Sequence, residues 1–345
     1  MRNSPPSDDR HAGAGECLGT HVLATLLALL FQIPTHAADT LTFAGCCDAS
    51  AAVVLPGPWF ATASDEDNHL RVYRRQTPGP AVANFQFPRP IGSGRGHEAD
   101  IEGAAPVGRL AYWIGSHSRN QDGKARPSRH ILFATAVIQK ESQVVLEPSG
   151  QVFRGLIEAL VNDPALATLP LRTASTLPGE ARGGLNIEGL AAGPDGSLWI
   201  GFRNPVPDGL ALIVPLLNPA DVIAGKPARF GKPLRPDLGG LGIRDMIRVG
   251  TRLAILAGPA EGGGRHHLFL WDGADSKPRL VPGAIPKGFQ AEAIIADPDS
   301  GENALIFSDD GNEKRGGKRC EELDDPNLRG FRARAVNLTE PGSVD

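Results

Sequence analysis

Residues 186–204 read NIEGLAAGPDGSLWIGFRN. The stretch reads as strand, tight turn, strand. Ile187, Leu190 and Ala191 form a short apolar run. Gly193-Pro194-Asp195-Gly196-Ser197 is turn chemistry, because proline presets φ and glycine accepts φ > 0. Leu198, Trp199, Ile200 and Phe202 are large, strand-prone residues. Glu188 lies inside the first strand, where a charge costs free energy unless something satisfies it.

The pattern recurs along the chain. Asp48 precedes an apolar run, a Pro-Gly-Pro turn, then Trp59 and Phe60. Glu102 precedes a Val-Gly turn and Leu110 to Ile114. Asp245 precedes a Val-Gly turn and Leu253 to Leu256. Glu292 precedes Pro-Asp-Ser-Gly and Leu305 to Phe307. The five acids at 48, 102, 188, 245 and 292 are spaced by 54, 86, 57 and 47 residues. Repeats of about 40–50 residues built from four strands are the sequence signature of a β-propeller. The expected fold is therefore all-β, a propeller of five blades. Six is the alternative, because the 86-residue interval has room for a degenerate blade.

In chain order, Asp39 to Phe43 reads as a spare strand. Blade one runs from Asp48 to about Phe87, followed by a Pro-rich connector. Blade two opens at Asp100-Ile101-Glu102 and includes a strand from Ile131 to Ile138. Val152 to Leu169 has helical spacing of apolar residues and predicts an inserted helix, with Leu171 to Leu177 as that blade's outer strand. Leu210 to Leu217, Arg265 to Trp271 and Phe331 to Val336 are the expected third strands of blades three, four and five. Blade five lacks a fourth strand of its own. The strand Asp39–Phe43 can supply it, which closes the ring and removes an exposed edge.

Residues 1–37 read as a secretory signal: Arg2 and Arg10, an apolar run from Val22 to Ile33, then Thr35-His36-Ala37. An uncleaved anchor and a misassigned start are the alternatives. Residues 38–338 form the expected propeller domain and 339–345 a polar tail. The predicted location is periplasmic or extracellular, where disulfides are permitted. Cys46 or Cys47 can then pair with Cys320, or all three thiols stay free; ring closure places Cys47 and Cys320 together. Net charge is −4, which argues against nucleic acid or an anionic membrane surface as a partner. A monomer is expected. The 42 glycines and 30 prolines punctuate apolar runs at regular intervals, so they mark turns. No nucleophile elbow, P-loop or zinc spacing occurs.

The segments CDASAAV, DEDNHLRVY, EADIEGAA, WIGSHSRNQDGKARPSR, LNIEGLA, IGFRNP, LGIRD and SDDG resemble the uncharacterised bacterial family called domain of unknown function 3616. The resemblance extends over about residues 43–334. It implies a β-propeller-like fold and no established activity.

Two residue sets can carry chemistry. First strands line a propeller's channel, so Asp48, Glu102, Glu188, Asp245 and Glu292 are expected to converge on the axis. Crowded carboxylates protonate, pair with arginine or share a cation. Oxygen ligands in a flexible ring favour Ca²⁺ as the cofactor. Alternatively each acid caps strand N–H groups or pairs with an arginine such as Arg244. The second set follows the second strands. Asp65, Asp309 and His117 are candidate acid–base groups. Arg119, Lys124, Arg126, Arg129, Arg203 and Asn204 are candidates for holding an anionic substrate. The expected function is a calcium-dependent hydrolase of an anionic phosphate, ester or lactone. The alternative is a non-catalytic ligand-binding or scaffold propeller. Glycoside hydrolysis by two facing carboxylates is a third reading, decided by their separation.

Overall fold

The turn at Gly193–Ser197 reverses the chain as its residues require. Gly193 N–H donates to Ser197 O at 2.8 Å, and Gly196 takes φ +73°, the left-handed region open to glycine. Asn186–Ala192 thereby pairs antiparallel with Leu198–Asn204, Leu190 opposite Ile200. The structure is a computed structural model that describes residues 40–86, 98–140, 143–274 and 276–339. The expected signal segment, Asp39, much of the Pro-rich connector and most of the C-terminal tail lie outside the described residues.

Five sheets repeat this hairpin. Blade one is Ala51–Val54, Trp59–Ala63, His69–Arg74 and Ala83–Gln86. Blade two is Ile101–Val107, Leu110–Gly115, Leu132–Lys140 and Gln143–Phe153. Blade three has Asn186–Ala192, Leu198–Asn204 and Leu212–Leu216, with isolated bridges to Phe230 and Leu234 where a fourth strand would lie. Blade four is Gly242–Val249, Arg252–Gly258, His267–Trp271 and Arg279–Leu280. Blade five is Ala291–Ala296, Asn303–Ser308 and Gly330–Asn337, completed by Thr40–Ala44.

The first strand of every blade packs against the first strands of both neighbours, and the last of these contacts joins Ala291–Ala296 to Ala51–Val54. That circuit closes at five. Residues 152–177 hold no sixth blade. Leu156–Asn162 is the expected helix, shorter than expected because Val152 and Phe153 belong to the edge strand before it. Leu171–Ala174 is a helical turn and not the outer strand of blade two. Gln143–Phe153 takes that place. Its Pro148 removes a ladder donor, which only an edge strand tolerates.

Five hydrophobic clusters hold the ring, one between each adjacent pair of blades. Between blades five and one the cluster is aromatic. Phe43 lies 5.1 Å from Phe60 and 5.6 Å from Phe331, and Phe60 lies 5.1 Å from Phe307. Phe43 sits opposite Phe331 in the antiparallel pairing of Thr40–Ala44 with Gly330–Asn337. Cys47 is disulfide-bonded to Cys320 at this closure, and Cys46 stays a buried thiol. At one end the channel is walled by Ala52, Ala104, Leu190, Met246 and Ile295, which are apolar. The polar end is the mouth. No helix among the described residues is long and apolar enough to cross a membrane.

Candidate functional site

Four first strands slip register by one residue at the same place. The slips fall between Ile101 and Gly103, Ile187 and Gly189, Ile243 and Asp245, and Ala291 and Ala293. The residue left over in each case is Glu102, Glu188, Arg244 or Glu292. A bulge re-aims its extra side chain. Aligning Ala51, opposite Ala63, with Gly103, opposite Ile114, puts Ser50 at the same place in blade one. All five residues line one cavity of about 530 Å³.

This register corrects the expected ring of five acids. Asp245 lies one position beyond it, does not line the cavity and is fully buried. Its carboxylate accepts the N–H of Met246 at 2.8 Å and of Ile294 at 2.9 Å, tying blade four to blade five. Blade four therefore contributes a guanidinium where the sequence reading expected a carboxylate. Asp48 lines the cavity, but two residues earlier in its repeat, level with Asp100 and Asn186.

One half of the cavity is a lattice of ion pairs. Glu188 Oε1 accepts from Arg203 Nη1 at 3.1 Å and from Arg244 Nη1 at 3.4 Å. Arg244 Nε lies 3.0 Å from Glu188 Oε2, an ion pair out of hydrogen-bond alignment. Arg244 Nη2 also pairs with Glu292. Burial raises the pKa of Glu188, and the two arginines oppose that rise. Arginine pairing accounts for Glu188 and Glu292.

The other half is different. One carboxylate oxygen from each of Asp65, Asp100 and Glu102 lies within 4.8 Å of the others. Asp65 follows the second strand of blade one. Asp100 precedes the first strand of blade two at φ +51°, a conformation that Asp tolerates better than most residues. Asp100 Oδ2 pairs with Arg129 Nη1 at 3.0 Å and accepts from Ser116 Oγ. The charges that act most on Asp65 and Glu102 are all carboxylates. Burial, then this repulsion, pushes both well above the usual carboxylate range. Asp48 is pushed up to about 8 by burial, with a hydrogen bond from Ser64 opposing the shift. Its Oδ2 accepts from Ser64 at 2.8 Å, while Oδ1 is buried without a partner among the described residues. Asp309 also lines the cavity, raised by burial while accepting Gly311 N–H at 2.7 Å.

The remaining candidates divide. Arg203 and Arg119 line the cavity. Asn204 does not; its amide donates to the carbonyls of Gly179 and Ala181 and holds that loop at the mouth. Lys124 and Arg126 lie outside the lining. His117 is 3% exposed and stacks on His130, and its Nδ1–H donates to Gly115 O at 2.8 Å. Burial pushes its pKa down to about 3. It is a neutral, enclosed imidazole and not a wall of the cavity. The sequence reading gave Asp100 no role at the site, although Asp100 stands two residues before Glu102 as Asp48 stands before Ser50. It treated Arg244 only as a counter-ion, although Arg244 holds the ring position itself.

Among curated proteins, none matches the sequence. The chain resembles several solved propellers. Glutaminyl cyclase of Myxococcus xanthus is 12% identical, over 87% of this chain and 96% of that one, with a TM-score of 0.43. The PQQ-bound aldose sugar dehydrogenase of Streptomyces coelicolor is 11% identical over 87% and 99%, with a TM-score of 0.40. The β-propeller domain of Cps50 (Swd1) from Myceliophteria thermophila is 11% identical over 86% and 98%, with a TM-score of 0.36. At these identities and scores the likenesses say nothing about activity. The family described as "Protein of unknown function (DUF3616)" matches residues 131–282, which contain Glu188, Arg203 and Arg244 but not Asp65, Asp100 or Glu102. The chain is a five-bladed β-propeller that resembles the DUF3616 proteins, and residues 131–282 carry the match to that family.

Proposed function

We propose that the chain is an exported, divalent-cation-dependent hydrolase of a small ester, lactone or phosphoester. The observation that carries this reading is the trio Asp65, Asp100 and Glu102, with oxygens within 4.8 Å of one another and, among the described residues, one ion pair, Arg129 to Asp100. Three carboxylates so placed protonate or share a cation. Hard oxygen donors suit Ca²⁺. The buried, unpartnered Oδ1 of Asp48 on the same wall supports a cation there.

A cation held by the trio would supply charge to polarise the scissile carbonyl or phosphoryl oxygen. Asp309, outside the trio but on the cavity wall, would take a proton from water as the water oxygen bonds to the electrophilic carbon or phosphorus. The C–O or P–O ester bond then breaks, and the departing alkoxide takes that proton. His117 has no part in this scheme. Export is supported by the Cys47–Cys320 disulfide, which suits an oxidising compartment.

The test is hydrolysis of carboxylic esters, lactones and phosphoesters by chelated and calcium-restored protein. Turnover that appears with calcium and falls at least 100-fold in Asp309→Asn supports the reading. Turnover indifferent to chelator refutes it. The scaffold reading has one observation in its favour: ion pairing to Arg203 and Arg244 gives Glu188 and Glu292 a purely structural role. It gives Asp65 and Glu102 none.

A further inference from the structure

We infer that the cavity selects an uncharged, hydroxyl-bearing ligand, a polyol ester or lactone, and turns anions away. This rests on the proposed cation site and deepens it. It also displaces the expectation of an anionic substrate.

The first ground is that the guanidiniums are already engaged. Nine carboxylates and four guanidiniums line the cavity, so one divalent cation leaves the wall acidic. Arg119 donates to the carbonyls of Ser175 and Gly123. Arg129 donates to Ser118 and pairs with Asp100. Arg203 is held by Glu180, Glu188 and the carbonyls of Pro259 and Gly262. Arg244 is held by Glu188 and Glu292. A phosphate or carboxylate that took Arg203 or Arg244 would break one of these pairs and leave Glu188 or Glu292 uncompensated, which is costly in a buried site.

The second ground is what the wall lacks. Asn186 is 6% exposed, and its Oδ1 has no partner among the described residues while its Nδ2 donates to Glu188. An amide oxygen only accepts, so its complement is a donor or a cation. Hydroxyls donate; ionised phosphate oxygens only accept. The third ground is the mouth. Asp122 and Glu180 line it from two loops that are joined where Gly179 N–H donates to Arg119 O at 3.3 Å. An anion approaching the cation passes these carboxylates, and a cleft lined by one sign of charge focuses its field outward. The volume suits a small molecule.

Binding tests this without requiring turnover. The calcium-loaded full-length protein is titrated by calorimetry with gluconolactam, a neutral polyhydroxylated analogue that does not hydrolyse as a lactone does, and with its 6-phosphate. The neutral ligand should bind at least tenfold more tightly. That ratio should narrow two- to threefold in Asp122→Asn, a substitution at an exposed mouth residue, and narrow again in high salt, which screens exposed charge. Equal or tighter binding of the phosphate, or binding of neither ligand, overturns the inference. Calcium uptake is read first in the same cell, so a failure of the cation site is seen separately from a failure of selectivity.

Discussion

At the scale of single residues, pairing with a guanidinium decides which carboxylates are structural. Glu188 sits between two guanidiniums, so neutralising it leaves Arg203 and Arg244 short of a counter-charge. Glu188→Gln should destabilise the protein by about 3 kcal/mol, the usual cost of breaking a buried pair, read by urea denaturation at neutral pH. Asp48, Asp65 and Glu102 should behave in the opposite sense. Their pKa values are raised in the folded state, to about 8 for Asp48. The folded protein thus holds protons that the unfolded chain releases near its ordinary carboxylate pKa. Their contribution is harmless below that pKa, and stability is lost as pH rises from there through the folded values. The chelated protein should therefore melt at lower temperature at pH 8 than at pH 5, and Asp48→Asn should flatten part of that slope. A slope that Asp48→Asn leaves unchanged would contradict the assignment. Much of this was legible in the sequence, since an acid inside an apolar strand already signals an unusual environment. Asp245 misleads because it is the nearest acid in its repeat. The offset from the strand's apolar pair picks Arg244 instead, and only the register shows that offset.

At the scale of elements, the bulge in the first strand makes the site. The glycine after the bulge residue matters because a neighbouring strand crosses there. A methyl on Gly189 would lie 2.7 Å from Ile243 Cγ2. Gly189→Ala should force the first strands of blades three and four apart and cost about 1–3 kcal/mol, the usual range for overpacking, measured by thermal or chemical denaturation. A neutral result would mean the strands can yield. The hairpins were readable because Gly193-Pro194-Asp195-Gly196 and the Val-Gly pairs specify turns locally. The outer strand Gln143–Phe153 was not, because Pro148 and Gly150 look like breakers. Only its place at the edge of a sheet, set by distant residues, lets it be a strand. Leu171–Ala174 failed the other way: its apolar residues suit a strand, but they pack as a helical turn against the cluster between blades two and three.

At the scale of the whole molecule, a propeller must join its first and last blades. Here three devices act together: the Thr40–Ala44 strand in blade five, the aromatic cluster around Phe43, and the Cys47–Cys320 bond. The bond spans 273 residues. A cross-link over so long a loop contributes about 5 kcal/mol in the chain-entropy model. Cys320→Ser should then lower the melting temperature by about 10 °C, and an unchanged value would show that the strand and the aromatics close the ring alone. This closure was legible, because blade five ran out of strands while the N-terminal segment had one spare. The division of the cavity into an arginine-paired half and a carboxylate half was not, since it depends on which side chains five separate repeats bring to one axis.

That division is tested most directly by calorimetric titration of calcium into the chelated wild type, Glu102→Gln and Glu188→Gln. Calcium uptake by the wild type, weakened at least tenfold in Glu102→Gln and nearly unchanged in a folded Glu188→Gln, is the predicted result. No calcium uptake by the wild type, or equal loss in both variants, would contradict the account.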